Sequence, residues 1–375
     1  MVRVLHLAHI INRYDFIDNV LRHCDRGRIQ SYACTFTDQS NIESPVYVDV
    51  PRFILGVRGR QSYPSALTKL LRILRRERID VIHAHHFDPA VIGVAAARLG
   101  GCTAIIGRHY SDSLYRLRRS WKRQLYLRTE AICCRFAAKT IVPSAYVYDL
   151  LTRVQRMDER KVELIPYGFD LAKYVPTPDG PSRIRQAFAA DGEILIGCFG
   201  RLHREKGQIY LLRAVKALLP THPRLRVLLV GEGPDRPMLE DAIRRLGLAH
   251  SVLLTGWRKD VVDFLSAVDI VVQPSTEETF SQAMVEALAL ARPLIMTDVS
   301  GARDIIDDGE TGLIVPPQDS VALTQSLRTL LDAPQFGRRL AEAGREYVRQ
   351  QLDIRRIVRR YEECYLAAHA ESIAA

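Results

Sequence analysis

Two stretches of this chain hold charged residues at spacings that suit anion and sugar binding. The first is Leu195-Ile-Gly-Cys-Phe-Gly-Arg-Leu-His-Arg-Glu-Lys-Gly207. An apolar run leads into a glycine turn and then a helix start. Gly197 and Gly200 allow a tight turn and a close approach of backbone to a ligand. Arg201 and Lys206, on either side of that turn, can converge on one anion with help from helix N–H groups. The alternative is two solvated cations at a strand end. The second stretch is Gln273-Pro-Ser-Thr-Glu-Glu-Thr-Phe-Ser-Gln-Ala-Met-Val-Glu-Ala-Leu-Ala289. A strand ends at Pro274, a polar loop follows, and a helix begins near Ser281. Its N-terminus suits a phosphate, which leaves Glu278 and Glu286 to accept hydrogen bonds from sugar hydroxyls. The alternative for Glu277 and Glu278 is ordinary acidic charge opposing the helix macrodipole. Glu286 lies among Ala, Met, Val and Leu, where a buried carboxylate needs a partner.

The histidines form a third group. His83 and His85 alternate along one strand and share a face, and His86 is adjacent. A metal site is possible in principle, but no third ligand at a metal-binding spacing accompanies them, and a structural histidine at a strand end is the alternative for His83. His109 falls at the C-terminal end of its strand, where α/β sheets place ligand-binding residues.

The elements that must position these residues alternate from end to end. Strands are predicted at Arg3–Leu7, Tyr32–Phe36, Val46–Val48, Val81–Ala84, Ala104–Gly107, Thr140–Pro143 and Val162–Ile165. A second set follows at Leu195–Phe199, Arg226–Val230, Val252–Thr255, Ile270–Gln273, Pro293–Thr297 and Gly312–Val315. Several are continuous Val/Ile/Leu runs, as parallel strands covered on both faces require. Helical patterns lie between them at Tyr63–Arg78, Arg204–Leu219, Pro237–Leu246 and Ser320–Leu331. The order implies an α/β protein with two doubly wound, Rossmann-like domains facing a central cleft. At 375 residues the chain has the length of two domains, at roughly 150 residues each. Tyr174-Val-Pro-Thr-Pro-Asp-Gly-Pro181 reads as a linker, giving domains over 1–173 and 183–350 with a linker at 174–182. A last helical stretch at 351–375 carries Ile354, Ile357, Val358, Tyr361 and Tyr365 on one face, and is expected to pack back toward the first domain.

Composition narrows the classes. Apolar residues make up 47% and charged residues 26%, which excludes wholesale disorder and collagen-like repeats. Apolar runs such as Val91–Ala97 fall far short of the roughly 18 residues of a membrane span. The opening Met1-Val-Arg-Val-Leu-His-Leu reads as a first strand rather than a signal peptide. Seven cysteines without a C-x-x-C pair read as free thiols of a cytoplasmic protein. The net charge of +10 is unevenly placed: residues 1–176 hold 28 Lys/Arg against 16 Asp/Glu, and residues 177–375 hold 25 against 27. The first half therefore suits an anionic partner, or carries arginine for solubility.

The charged stretches resemble the group 1 retaining glycosyltransferases, family 4 of the GT-B fold. That family's G-R-L-x-x-E-K-G element stands as Gly200-Arg-Leu-His-Arg-Glu-Lys-Gly207, and its glycine loop as Leu228-Leu-Val-Gly-Glu-Gly-Pro234. Its E-x7-E motif stands as Pro274-Ser-Thr-Glu-Glu-Thr-Phe-Ser281 running to Glu286. The G-x-x-G-x-L-V-P-P strand is matched by Gly309-Glu-Thr-Gly-Leu-Ile-Val-Pro-Pro317. In the first half, Asp80-Val-Ile-His-Ala-His85, Ile105-Ile-Gly-Arg-His109, Ala137-Ala-Lys-Thr-Ile-Val-Pro-Ser144 and Val162-Glu-Leu-Ile-Pro-Tyr-Gly-Phe-Asp170 resemble family strands. Departures are Tyr167 for the usual Asn, Thr279 and Ser281 for the glycines of E-G-F-G, and Asn12-Arg-Tyr-Asp15 where a glycine pair is common.

The resemblance implies a retaining hexosyltransferase with a nucleotide-sugar donor, UDP- or GDP-linked, and a carbohydrate or lipid-linked acceptor bound by the N-terminal domain. It implies catalytic roles for His109 at the reacting centre, Arg201 and Lys206 at the diphosphate, and Glu278 at the donor sugar. Glu286 would take the ribose hydroxyls. Gly200, Gly231 and Gly233 would let backbone approach the nucleotide, Trp257 and Arg258 would meet the base, and Phe280, Ser281 and Gln282 would complete the donor site. Catalysis would need neither metal nor cofactor. A sugar-nucleotide epimerase or a non-catalytic nucleotide- or anion-binding protein is the alternative.

Tyr110–Arg128 adds one more expectation. Tyr110, Leu114, Leu117, Trp121 and Leu125 recur at helical spacing beside Arg116, Arg118, Arg119, Lys122 and Arg123. This is the pattern of a helix on an anionic membrane surface, which would make the protein peripheral on the inner face of a membrane. Packing of that helix on its own domain is the alternative. No nucleic-acid-binding module accompanies the charge.

Overall fold

The computed structural model describes residues 1–11, 16–37, 50–109, 120–278, 280–299 and 301–374. The chain forms two compact units, Met1–Asp170 with Leu352–Ala375, and Leu171–Gln351. Each is built on one parallel sheet.

The sheet of the first unit consists of β1 (Val2–Ala8), β2 (Ile29–Thr35), β3 (Arg52–Ile54), β4 (Val81–His85), β5 (Thr103–Gly107), β6 (Lys139–Val142) and β7 (Val162–Leu164), in the order β3-β2-β1-β4-β5-β6-β7. The order reverses beside β1, the Rossmann-type switch that leaves room for ligands beyond the carboxyl ends of strands. β4 and β5 are buried at every position, which explains their near-continuous apolar sequence. The helices Tyr63–Glu77 and Phe87–Gly100 pack together, and their buried faces join one core cluster with β1, β2, β4 and β5. The chain returns to this unit through a short parallel bridge between Phe169 and Asp353. The helix Ile354–Ala374 then lays Ile354, Ile357, Val358, Tyr361, Tyr365 and Ala368 on Val4, Val81, Ile105 and Ile141. Glu362 on that helix is buried and accepts from the Asp25 backbone N–H at 2.6 Å and from Arg28 at 3.1 Å.

The second unit has β8 (Ile194–Phe199), β9 (Leu225–Val230), β10 (Val252–Gly256), β11 (Ile270–Gln273), β12 (Leu294–Thr297) and β13 (Leu313–Val315), in the order β10-β9-β8-β11-β12-β13. Its core joins β8, β9, β11 and β12 to the helices Gln208–Leu218, Arg236–Leu246 and Ser320–Asp332. Here too the order reverses beside β8, the strand that carries the Gly200 turn.

Three features differ from the sequence expectation. β3 is an additional edge strand, while Val46–Val48 lies outside the described residues. Arg204–Leu219 is not one helix: a short 3-10 turn at Arg204–Lys206 precedes the helix Gln208–Leu218, and Gly207 between them takes φ 64°. The linker is also shorter than 174–182. A helix spans Gly180–Phe188 with Pro181 in its first turn, where the missing N–H costs nothing and the fixed φ favours helix. Among the described residues no helix is long and apolar enough to cross a membrane. All seven cysteines are free thiols, and burial pushes Cys34 and Cys198 up to about 12.

Candidate functional site

In the second unit, the loops that follow β8, β9, β10 and β11 enclose a pocket of about 650 Å³. It is lined by Gly200, Arg201, Lys206, Gly231, Trp257, Arg258, Glu278, Phe280, Ser281, Gln282 and Glu286, all singled out above. Thr279 lies outside the described residues. Gly233 adjoins this lining and packs on the loop after β8. A Cβ on Gly233 would stand 2.2 Å from the Leu202 carbonyl oxygen, and one on Gly231 2.0 Å from that of Gly200. Gly231 also holds φ 144°, a conformation that L side chains rarely adopt. These glycines let the loops after β8 and β9 pack backbone to backbone. Gly231 also lines the pocket.

The loop after β11 is tied down at both ends. The Thr276 backbone N–H donates to the Glu205 carbonyl at 2.7 Å. At the other end, the Ser281 hydroxyl caps the helix Gln282–Ala289 by accepting from the Met284 N–H at 3.3 Å. The cap satisfies one of the four free N–H groups of the first turn.

Most charges in the pocket are already paired among the described residues. Lys206 forms an ion pair with Glu278, and Arg258 holds Asp260 through both of its carboxylate oxygens at 3.0 and 2.9 Å. Trp257 stands exposed beside it. Among the described residues no carboxylate pairs with Arg201, which lies exposed at the pocket edge. Glu286 is buried and accepts from the Gln282 amide at 2.7 Å. Burial raises its carboxyl to about 6, opposed by the Gln282 hydrogen bond. An arriving diphosphate can thus meet Arg201 directly and compete with Glu278 for Lys206.

The shift of Glu286 has a definite sign. A carboxyl raised from 4.5 to about 6 holds its proton more firmly in the folded than in the unfolded chain. Its stabilising contribution is full below about pH 4.5 and is lost as pH rises through about 6, by about 2 kcal/mol. Urea unfolding of the unliganded protein is expected to show this decline, and the Glu286→Gln variant is expected to lack it. An identical pH slope in both proteins would assign the decline to another group.

His109 lies in the first unit, two residues beyond β5, and its Nδ1 is 3.1 Å from the Tyr167 hydroxyl. The preceding Arg108 corrects a reading of composition. It is fully buried and its Nε donates to Glu130 Oε1 at 2.8 Å, so it contributes nothing to a positive surface. Sequence reasoning also missed His6. It lies opposite His83 in the register of β1 and β4, and one nitrogen from each of His6, His83 and His85 lies within 4.8 Å of the others. The third ligand-type residue sought near His83 was therefore present, 77 positions upstream.

Two family matches cover most of the chain. Residues 193–333 match the family described as glycosyl transferases group 1, and residues 16–173 match glycosyltransferase family 4. The chain belongs to this family. It is therefore a glycosyltransferase. Its relatives include the UDP-Gal:alpha-D-GlcNAc-diphosphoundecaprenol alpha-1,3-galactosyltransferase of Escherichia coli, 23% identical over 72% of this chain and 70% of that one. Another is the alpha-D-kanosaminyltransferase of Streptomyces kanamyceticus, 29% identical over 56% of this chain and 55% of the relative. The fold of this glycosyltransferase is shared with Anabaena HepE, whose crystal structure holds UDP: TM-score 0.83, 22% identity, 98% of this chain and 100% of that one. Both units are Rossmann-like and the fold is GT-B.

Proposed function

We propose that this enzyme is a retaining hexosyltransferase that binds a nucleoside diphosphate hexose in the pocket of its second unit. The observation that carries the reading is the arrangement in that pocket. Arg201 has no carboxylate partner among the described residues, Lys206 is held by a displaceable carboxylate, and a capped helix start and the buried Glu286 lie beside them. A departing diphosphate needs positive charge placed where negative charge develops. Arg201, Lys206 and the free N–H groups beyond Ser281 supply it. Glu286, once ionised, accepts from two ribose hydroxyls. Glu278, released from Lys206, accepts from the donor sugar. The role of His109 at the reacting sugar rests on family resemblance, as do the retaining outcome and the placing of the base at Trp257 and Arg258. UDP is the first nucleotide to try, being the one named for the E. coli relative.

Thermal shift against UDP, GDP and their hexose conjugates tests the reading, because a ligand that binds only the folded state raises the unfolding temperature. A rise with one nucleoside diphosphate, lost in Arg201→Ala, is expected. No response to any of them would remove the proposed donor site. Anomeric analysis of the transfer product then separates retention from inversion.

The cationic pocket makes a metal unnecessary in this reading. Transfer is expected to continue in excess chelator. Activity abolished by chelation and restored by a divalent cation would overturn that part.

We also propose that the first unit meets its acceptor at an anionic membrane. Residues 110–119 lie outside the described residues, but the helix Ser120–Phe136 that follows supports the reading. It buries Glu130, Cys133 and Cys134 and exposes Trp121, Leu125, Ile132 and Phe136. Those four recur at intervals of four, seven and four, which is a single helical face. Arg98 lies 4.6 Å over the Phe136 ring and Lys122 5.4 Å over the Trp121 ring. An apolar ridge edged by cations suits a headgroup layer, where each cation contributes about 1 kcal/mol. The protein is expected to sediment with anionic vesicles at low salt and not with neutral ones. Changing Trp121 and Phe136 to Ser and Lys122 to Gln is expected to keep it in solution. A wild-type protein that ignores anionic vesicles would return the ridge to another use.

A further inference from the structure

Four imidazoles meet on one face of the first sheet. His6 of β1 and His83 of β4 are register partners, His85 follows two residues after His83, and Gly107 of β5 lies opposite His85. His109 lies two positions beyond Gly107. The same face is covered by Tyr361 and Tyr365 of the C-terminal helix. His6 and His83 are wholly buried, His85 is 1% exposed and His109 8%.

The rings are joined in line. His6 Nδ1 lies 3.2 Å from His85 Nε2, His85 Nδ1 lies 3.1 Å from His109 Nε2, and His109 Nδ1 lies 3.1 Å from the Tyr167 hydroxyl. His83 stands beside this line, its centroid 4.0 Å from that of His85, with Nδ1 2.8 Å from the Tyr365 hydroxyl. Gly107 makes the cluster fit. A Cβ there would stand 2.3 Å from His109 Nε2 and 2.9 Å from both His83 Nε2 and His85 Nδ1.

A neutral imidazole has one donor nitrogen and one acceptor nitrogen. Each contact in the line takes one proton, so the tautomer of one ring dictates the next, and only two arrangements satisfy all three contacts. In one, Tyr167 donates to His109 Nδ1 and the protons lie on Nε2 throughout. That leaves a buried N–H on His6 Nε2, which has no partner among the described residues. In the other, every proton lies on Nδ1, His109 donates to Tyr167, and His6 Nε2 is a bare acceptor. Orphaned buried donors are the rarer of the two, which favours the second arrangement.

We propose that His6 and His85 are positioning residues that, together with Tyr167, hold His109 neutral, oriented and in its Nδ1–H tautomer. Burial acts in the same direction, pushing His6 down to about 3 and His85 and His109 well below the usual imidazole range. A metal ion is the competing occupant of this cluster. However, His6 Nδ1 and both nitrogens of His85 are engaged in the line, and among the described residues no carboxylate joins the group to offset a buried divalent charge. The line is a property of the fold. Its effect on sugar transfer rests on the role proposed for His109.

Nitrogen-15 NMR of the full chain with labelled imidazoles tests the line without any activity. At neutral pH, in the metal-free protein, the His6, His85 and His109 rings are expected to show Nδ1–H neutral signatures, assigned by single His→Gln variants. His85→Leu is expected to scramble the His109 tautomer and lower kcat by up to about 10²-fold, as a misplaced group does, with KM for the donor unchanged. His85→Gln, whose amide can donate to His109 Nε2, is expected to recover part of both. Should His85→Leu fail to fold, Tyr167→Phe removes the other end of the line from a half-buried position and is expected to move the His109 signal. The proposal is overturned if His109 in the wild type is charged or a tautomer mixture, or if neither His85→Leu nor Tyr167→Phe alters its spectrum. It is also overturned if one equivalent of zinc shifts His6, His83 and His85 together. A normal spectrum with unchanged kcat in folded His85→Leu would leave no positioning role. The expected spectra with unaltered transfer in every variant would instead dismiss the role assigned to His109.

Discussion

Arg201→Ala is expected to lower kcat about 10²- to 10³-fold, the usual consequence of removing one group aimed at developing charge. Lys206→Ala is expected to lose a similar factor, but the two losses have different structure. Arg201 has no carboxylate partner among the described residues, so its removal takes away only the contact with the departing diphosphate. Lys206 is paired with Glu278, and its removal also releases a carboxylate beside the same anion. Repulsion from Glu278, no longer neutralised by Lys206, then adds to the loss. The double variant Lys206→Ala/Glu278→Gln is therefore expected to lose less than the product of the single losses, while Arg201→Ala combines multiplicatively with Glu278→Gln. Steady-state transfer rates of the single and double variants give the coupling directly. Wild-type rates in both cation variants would remove the diphosphate from this turn.

The carboxylates are expected to separate binding from chemistry. Glu286→Gln removes the ionised acceptor for the ribose, and hydrogen bonds to charged groups are worth about 1.5–3 kcal/mol. Affinity for the free nucleoside diphosphate is expected to fall about 10- to 100-fold. Glu278→Gln is expected to spare or raise that affinity, because the change frees Lys206 for the diphosphate, and yet to impair transfer. Calorimetry with the nucleotide alone reads the difference. The wild-type affinity should also weaken as pH falls below about 6, where Glu286 takes up its proton. Equal affinity losses in the two variants would end the division of labour.

What was legible in the sequence was local. β9 and β11 are Val, Ile and Leu apart from Arg226 and Gln273, and such runs carry their burial within a few residues. The glycine turn after β8 and the Ser281 cap are also written in adjacent residues, so residue order alone places the anion-binding stretch and the E-x7-E helix. Arg201, Lys206, Glu278 and Glu286 lie in two segments about 70 positions apart, and their convergence on one pocket follows from β8 and β11 being neighbours in the sheet. β3 was missed because a three-residue edge strand has no period to detect.

What only the tertiary structure decided was lateral. Strand order sets which side chains touch, and β1 lies beside β4 across some eighty residues of sequence. His6 therefore meets His83 and His85, and nothing near His6 in the chain announces it. Arg108 counts toward the positive excess of the first half, and only the fold buries it against Glu130, 22 residues away. Gly233 packs against the backbone of Leu202 in the loop after β8, a contact between segments some thirty residues apart. A residue's conformational preference is local and can be read from its neighbours in the chain. Its partners are set by the path of the backbone through space, and a single sequence does not print that path.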